Sequence, residues 1–169
     1  VSNGVGIRST GNYVTAVTLT SDNINVSKLQ IANSGAVSFG RAMAGTGSTH
    51  QLDGCIFEGT NVATGGVALN TTGTGLIVNN CLFVQRATAA LNIAEFHNAA
   101  LTNCTAVAPS DLVAAPTAAF QNQYGTATYV NVAAFGATAV RSHARSTWTT
   151  CMSDATGFTG CTGGQTYAN

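Results

Sequence analysis

Six segments of the chain repeat one pattern. An apolar residue is followed by two turn-forming residues, a small apolar residue that is often Cys, any residue, and usually another apolar one. The segments are Val26-Ser27-Lys28-Leu29-Gln30-Ile31, Leu52-Asp53-Gly54-Cys55-Ile56-Phe57, Val78-Asn79-Asn80-Cys81-Leu82-Phe83, Leu101-Thr102-Asn103-Cys104-Thr105-Ala106, Tyr129-Val130-Asn131-Val132-Ala133-Ala134 and Trp148-Thr149-Thr150-Cys151-Met152-Ser153. Their fourth positions, 29, 55, 81, 104, 132 and 151, are 26, 26, 23, 28 and 19 residues apart. A near-constant period of this size predicts a solenoid, in which each repeat buries its apolar face against the next.

A second, two-residue alternation precedes each segment: Val17-Thr18-Leu19, Val37-Ser38-Phe39, Val67-Ala68-Leu69-Asn70, Leu91-Asn92-Ile93, Ala119-Phe120-Gln121 and Ala139-Val140. Alternation of this kind reads as a short strand with one buried face. Each repeat therefore holds at least two short strands, with a third that is less regular. The nearest helix candidate, Ala87 to Phe96, fits a strand as well as a helix. The position before the Cys holds Lys28, Gly54, Asn80, Asn103, Asn131 and Thr150. Gly and Asn enter the left-handed backbone region at low cost, which a sharp bend between two strands requires. Recurring bends would let the Asn side chains hydrogen-bond to one another along the axis. They would also turn Cys55, Cys81, Cys104 and Cys151 into one interior column, with Phe57 and Phe83 stacked beside it.

The rung at 78–83, its weaker echoes at 52–57 and 101–106, and the period make the chain resemble the right-handed parallel β-helix of pectate-lyase-like proteins and phage tailspikes. The resemblance covers roughly residues 14–153. The expected fold is all-β: a single-stranded right-handed parallel β-helix (solenoid) of about six short rungs, with an Asn bend and Cys and Phe core ladders. The expected division is an N-terminal arm or cap over 1–13, the β-helix over 14–153, and a C-terminal tail or cap over 154–169.

Composition narrows the function classes. Ala 27, Thr 25, Gly 19 and Asn 15 make up about half of the 169 residues, and only six basic and six acidic residues are present. Six dispersed Lys and Arg do not form the basic patch of a nucleic-acid binder. The 45% apolar content argues against a disordered chain. No run of about 18 apolar residues predicts a membrane-spanning helix. The opening Val1-Ser2-Asn3-Gly4 is not a basic-then-apolar leader, and the missing initiator Met reads as a processed or trimmed N-terminus. Five cysteines leave at least one free, and a buried, reduced ladder is the expected state. Cys151 and Cys161 are the one pair in which a disulfide is worth watching for.

Candidate chemistry is sparse. Glycoside hydrolysis needs two carboxylates facing one groove. Asp22, Asp53, Glu58, Glu95, Asp111 and Asp154 show no Asp-rich cluster, and Asp53 and Glu58 sit in turn contexts. His50, His97 and His143 lack a nucleophile partner in any motif. Arg141, His143 and Arg145 form a small basic knot that suits a solvated turn or an interface. Gly45-Thr46-Gly47 and Gly73-Thr74-Gly75 lack the Lys-Ser/Thr of a phosphate loop and read as solenoid loops. The sequons at Asn25, Asn70 and Asn103 are the chance matches of an Asn- and Thr-rich chain. Thr-x-Thr pairs, as an ice-binding array would need, recur at no fixed rung position.

No catalytic, cofactor-binding or metal-ligating residue is assigned, and no cofactor is expected. A surface with so little charge tends to associate, and a solenoid has open ends that must be capped or paired. The expected role is non-enzymatic: a phage capsid decoration (cement) protein at the capsid surface of the virion. The expected partners are copies of itself in a homotrimer, as tailspike resemblance implies, and the major capsid protein or other virion proteins; nucleic acid and membrane are not. The alternatives are a tail spike or fibre segment and a polysaccharide-binding or -cleaving β-helix.

Overall fold

Each turn of the chain lays down three short strands and then rises by one strand spacing. The computed structural model describes residues 6–10, 15–33, 41–59, 67–86, 92–108, 118–136, 146–153, 161–162 and 165–166. After β1 (Gly6–Ser9), the first complete turn is β2 (Thr15–Leu19), β3 (Asn25–Ser27) and β4 (Gln30–Asn33). The second is β5 (Arg41–Gly45), β6 (Gln51–Asp53) and β7 (Ile56–Gly59). The third is β8 (Val67–Thr71), β9 (Leu76–Asn79) and β10 (Leu82–Gln85). The fourth is β11 (Asn92–His97), β12 (Ala99–Thr102) and β13 (Thr105–Val107). The fifth is β14 (Ala118–Tyr124), β15 (Thr128–Val130) and β16 (Ala133–Phe135). The remaining strands are β17 (Thr147–Thr149), β18 (Met152–Ser153), β19 (Cys161–Thr162) and β20 (Gln165–Thr166).

Every pairing is parallel between successive turns, so three sheets run along the axis. Sheet A stacks β1-β4-β7-β10-β13-β16-β18-β20, sheet B stacks β2-β5-β8-β11-β14, and sheet C stacks β3-β6-β9-β12-β15-β17-β19. The protein is an all-β parallel solenoid, with no helix among the described residues. The rung count differs slightly from the expected six: five three-stranded layers follow one another, and the coil winds through about four turns from the first of them to the last. Beyond it, sheets C and A continue through β17 to β20.

The third strand arises because the repeat segment is two strands, not one. Its first residues lie in sheet C, its last in sheet A, and the bend falls between them. All six bend residues have positive φ: Lys28 54°, Gly54 62°, Asn80 55°, Asn103 53°, Asn131 51° and Thr150 53°. The turned backbone pairs from turn to turn, Gly54 N donating to Asn79 O at 3.0 Å and Asn80 N to Thr102 O at 3.0 Å. The amide ladder forms as expected. Asn131 Nδ2 donates to Asn103 Oδ1 (3.1 Å) and Asn103 Nδ2 to Asn80 Oδ1 (3.3 Å). Gly54 has no side chain to continue it, and Asp53 takes its place, accepting from Asn80 Nδ2 at 2.8 Å.

A second bend, between sheets B and C, also has positive φ: Asn23, Thr49, Gly75, Asn98 and Gly125. The 87–96 segment, whose spacing fits a strand as well as a helix, is a strand over its described part, Asn92–His97 (β11). Val37–Phe39 and Ala139–Val140 lie outside the described residues; the sheet B strand of the second turn is Arg41–Gly45.

The core is one continuous column. Phe57 and Phe83 stack with centroids 5.3 Å apart and planes at 14°. Phe120 meets Phe83 edge-on at 5.9 Å, and Tyr129 stacks on Trp148 at 3.7 Å and 5°. Such ring pairs add to the area they bury. Cys55, Cys81, Cys104 and Cys151 are buried free thiols beneath the bend. In the backbone register Cys161 is the partner of Trp148 in sheet C, one strand away from Cys151 at the A–C bend.

Candidate functional site

Turn-to-turn stacking uses up the carboxylates. Asp22 Oδ1 accepts from Ser48 N at 2.6 Å, Asp53 from Asn80 as above, Glu95 Oε2 from Asn70 Nδ2 at 2.8 Å, and Glu58 Oε1 pairs with Arg86 Nε at 2.8 Å. All four acidic residues among the described ones thus brace one turn to the next. The stack also brings together two groups far apart in role. Glu95 and His97 are two apart on β11 and share its outward face, because side chains alternate along a strand. Asn70 and Gln121 are Glu95's register neighbours on β8 and β14.

His50 lies on the opposite side of the wall. It is 1% exposed, in register between Ile24 and Leu76, and neither ring nitrogen has a hydrogen-bond partner. Thr71 Oγ1, also buried, lacks one too. Gly45, Gly47 and Gly73 sit where successive corners stack. A Cβ on Gly73 would collide with the backbone of Gly47, and one on Gly47 with Ser21 O. Gly47 and Gly73 are there for close backbone approach, consistent with the solenoid-loop reading, whereas a Cβ on Gly45 would meet only the side chains of Thr71 and His50. Of the sequon residues, Asn70 and Asn103 are held by side-chain hydrogen bonds and Asn25 is exposed. Asp111, Asp154, Arg141, His143 and Arg145 lie outside the described residues.

The thiol column carries the clearest electrostatic signature. Cys81 is raised above the ordinary thiol range, first by its hydrogen bond with Cys55 and then by burial. The same interaction lowers Cys55, and burial opposes that shift. Burial pushes Cys104 up to about 11. No group of three or more His, Cys, Asp or Glu side chains converges as a metal site among the described residues.

The outer faces of the three sheets differ. Sheet A presents two outward columns, Gln30-Ile56-Leu82-Thr105-Ala133-Met152 and Ala32-Glu58-Val84-Val107-Phe135. From β7 onward these columns are apolar apart from Thr105 and Glu58, and Glu58 is paired with Arg86. Most of their side chains are half-buried, and Met152 is 38% exposed. Sheet C presents Asn25, Gln51, Ile77, Ala100, Thr128 and Thr147 in one column and Ser27, Asp53, Asn79, Thr102, Val130 and Thr149 in the next, a mostly polar and nearly uncharged face. Sheet B buries its outward Ala42, Ala68, Ile93 and Ala119 and leaves Asn70, Glu95 and Gln121 half-exposed.

The sequence pattern, read along the chain, did not bring out the sheet A face. Its outward residues are the unremarkable positions flanking each Cys-and-Phe core residue, and they form columns only once the turns are in register. Comparison with known protein families, with curated proteins and with solved structures finds no match for this chain.

Proposed function

We propose that this solenoid is a non-enzymatic structural component of a larger assembly, acting through buried area and not through chemistry. The observation that carries the reading is the contrast between its sheet faces. Sheet A offers Ile56, Leu82, Val84, Val107, Phe135 and Met152 in two aligned columns, while the described carboxylates are committed to bracing the stack. Contiguous outward apolar positions mark interaction surfaces. The specific form of the proposal is a capsid decoration protein on a phage head, with solenoids side by side in a homotrimer and the shell protein as partner.

Light scattering on the purified chain tests it. The expected mass is three times 17.1 kDa, and Val84→Lys should reduce it to the monomer while circular dichroism shows the chain still folded. Binding of the trimer to empty capsids is the second stage. A monomeric parent protein overturns the reading.

One observation favours a polysaccharide-binding or -cleaving alternative: Glu95 and His97 share the outer face of sheet B, flanked by Asn70 and Gln121. Glycan-array binding that is lost in Glu95→Gln supports that alternative, and an empty array removes it.

A further inference from the structure

The two ends of the solenoid are closed differently. Toward the C-terminal end Trp148 and Cys151 are 1% and 2% exposed, and β19 and β20 follow them in sheets C and A. At the N-terminal end the inward columns lie open. Ile7, Val17, Ile24, Val26 and Leu29 are all half-buried or exposed, Ile7 at 38%. Their column neighbours one turn on, Ile31, Met43, His50, Leu52 and Cys55, are buried. β1, β2 and β3 are the first strands of their sheets, and no described strand lies outside them. Alternate residues of such an edge aim N–H and C=O groups away from the sheet, where another chain can pair with them.

On sheet A this edge adjoins a cavity. It measures about 250 Å³ and is lined by Gly6, Ile7 and Arg8 of β1 and by Gln30 and Ala32 of β4. Arg8 is exposed and has no carboxylate partner among the described residues. Lys28, also exposed, stands at the bend into β4. Asp22 is the one carboxylate of residues 1–33, and it lies at the other bend, between sheets B and C, accepting from Ser48 N at 2.6 Å. The charge beside the β1 edge is therefore positive. A charged side chain on an edge strand can serve to deter pairing. Here the cavity beside Arg8 and the open column at Ile7 leave space that an added strand would fill.

We propose that the β1 edge takes an extended acidic segment of another protein, which adds a strand to sheet A. Main-chain hydrogen bonds to the edge supply the affinity, and alternate side chains supply the specificity. Apolar residues of the segment cover Ile7 and Leu29, and a carboxylate between them faces outward beside Arg8, because successive side chains point to opposite faces of a strand. The site uses the end of the coil and not the apolar columns from β7 onward, so it stands whether or not the chain is a trimer.

The probe is a labelled eight-residue peptide in which valine alternates with threonine and one central threonine is replaced by aspartate. Its binding is read by fluorescence anisotropy. The parent protein should bind it at least 10-fold more tightly than a control peptide with lysine in place of the aspartate, and Arg8→Glu should invert that order. Methylating the peptide amides along one edge of the strand should abolish binding, and along the other edge should not. Ile7→Asp, which puts a charge in the open column, should abolish it as well. Circular dichroism shows that each variant is folded. No binding of the aspartate peptide, equal binding of the two peptides, or binding that survives both methylation patterns overturns the proposal. So does a fall in oligomeric mass on Ile7→Asp, which would show that a second copy of the chain fills this end.

Discussion

The second and third turns and the fourth and fifth fill the same cross-section from opposite walls. In the earlier pair, sheet A supplies the rings Phe57 and Phe83, while sheets B and C supply Met43 and Leu69, Leu52 and Val78. In the later pair sheet A shrinks to Ala106 and Ala134. The volume returns as Phe96 and Phe120 from sheet B and as Tyr129 from sheet C, with Trp148 stacked next in that column. Phe120 joins the two regimes, lying edge-on to Phe83 and within 6.0 Å of Tyr129. The backbone repeat does not change across this exchange. What each turn must conserve is summed side-chain volume, because interiors are packed to crystal-like density, and any wall can contribute it.

Removing a ring should break this arrangement most severely. Phe83→Ala in the earlier region and Trp148→Ala in the later one should each cost about 3–5 kcal/mol, read as the shift of a denaturant midpoint. A much smaller loss at Trp148 would mean that the later turns are not packed as one column with the earlier ones. Returning the ring to sheet A sharpens the comparison. Ala106→Phe overpacks a turn that Phe120 already helps fill and should cost about 1–3 kcal/mol. Paired with Phe120→Ala, it should recover part of that loss, with an interaction energy of at least about 1 kcal/mol in a double-mutant cycle. Strict additivity would show that the two walls do not share the space.

The bends offer a smaller contrast. Asn80 holds positive φ cheaply and joins Asp53 to Asn103 in the amide ladder, so Asn80→Val should cost about 2–3 kcal/mol. At the C-terminal end of the bend column, Thr150 adopts the same backbone with a β-branched side chain, and Thr150→Gly should gain about 0.5–1 kcal/mol. Equal and opposite shifts at the two sites would contradict the ladder as the source of the difference. The smallest effect expected is at His50, which stands without a hydrogen-bond partner between Ile24 and Leu76. His50→Leu should raise the midpoint by an amount worth about 1 kcal/mol, since it removes a buried polar group that nothing satisfies. Destabilisation there would reveal a partner for the imidazole.

Much of this was legible along the chain. The six bend positions, the Cys column and the Phe57–Phe83 stack follow from a motif of six residues, because the left-handed bend is a local requirement that Gly and Asn meet and few others do. The bend before sheet C was harder to read: Asn23, Thr49, Gly75, Asn98 and Gly125 recur at a similar period but lack the Cys that marks the other corner. Strand β5 escaped because Ala42, Met43, Ala44 and Gly45 alternate in no hydropathic sense, being buried on both faces or nearly so. Glu95 and His97 read as isolated residues, since neither carries a motif, and it is the outward face of β11 that groups them with Asn70 and Gln121.

The sequence by itself determined the repeat, the position of one bend in every turn and the residues that line the core beside it, because these depend on backbone conformations and polarity within a few neighbouring residues. Only the tertiary structure decided which wall carries the rings in a given turn, that the described carboxylates brace one turn to the next, and that scattered Ile, Leu, Val, Phe and Met align into the sheet A face. Those outcomes depend on register between segments 19 to 28 residues apart and on a packing volume shared by three sheets, which no local stretch of chain contains.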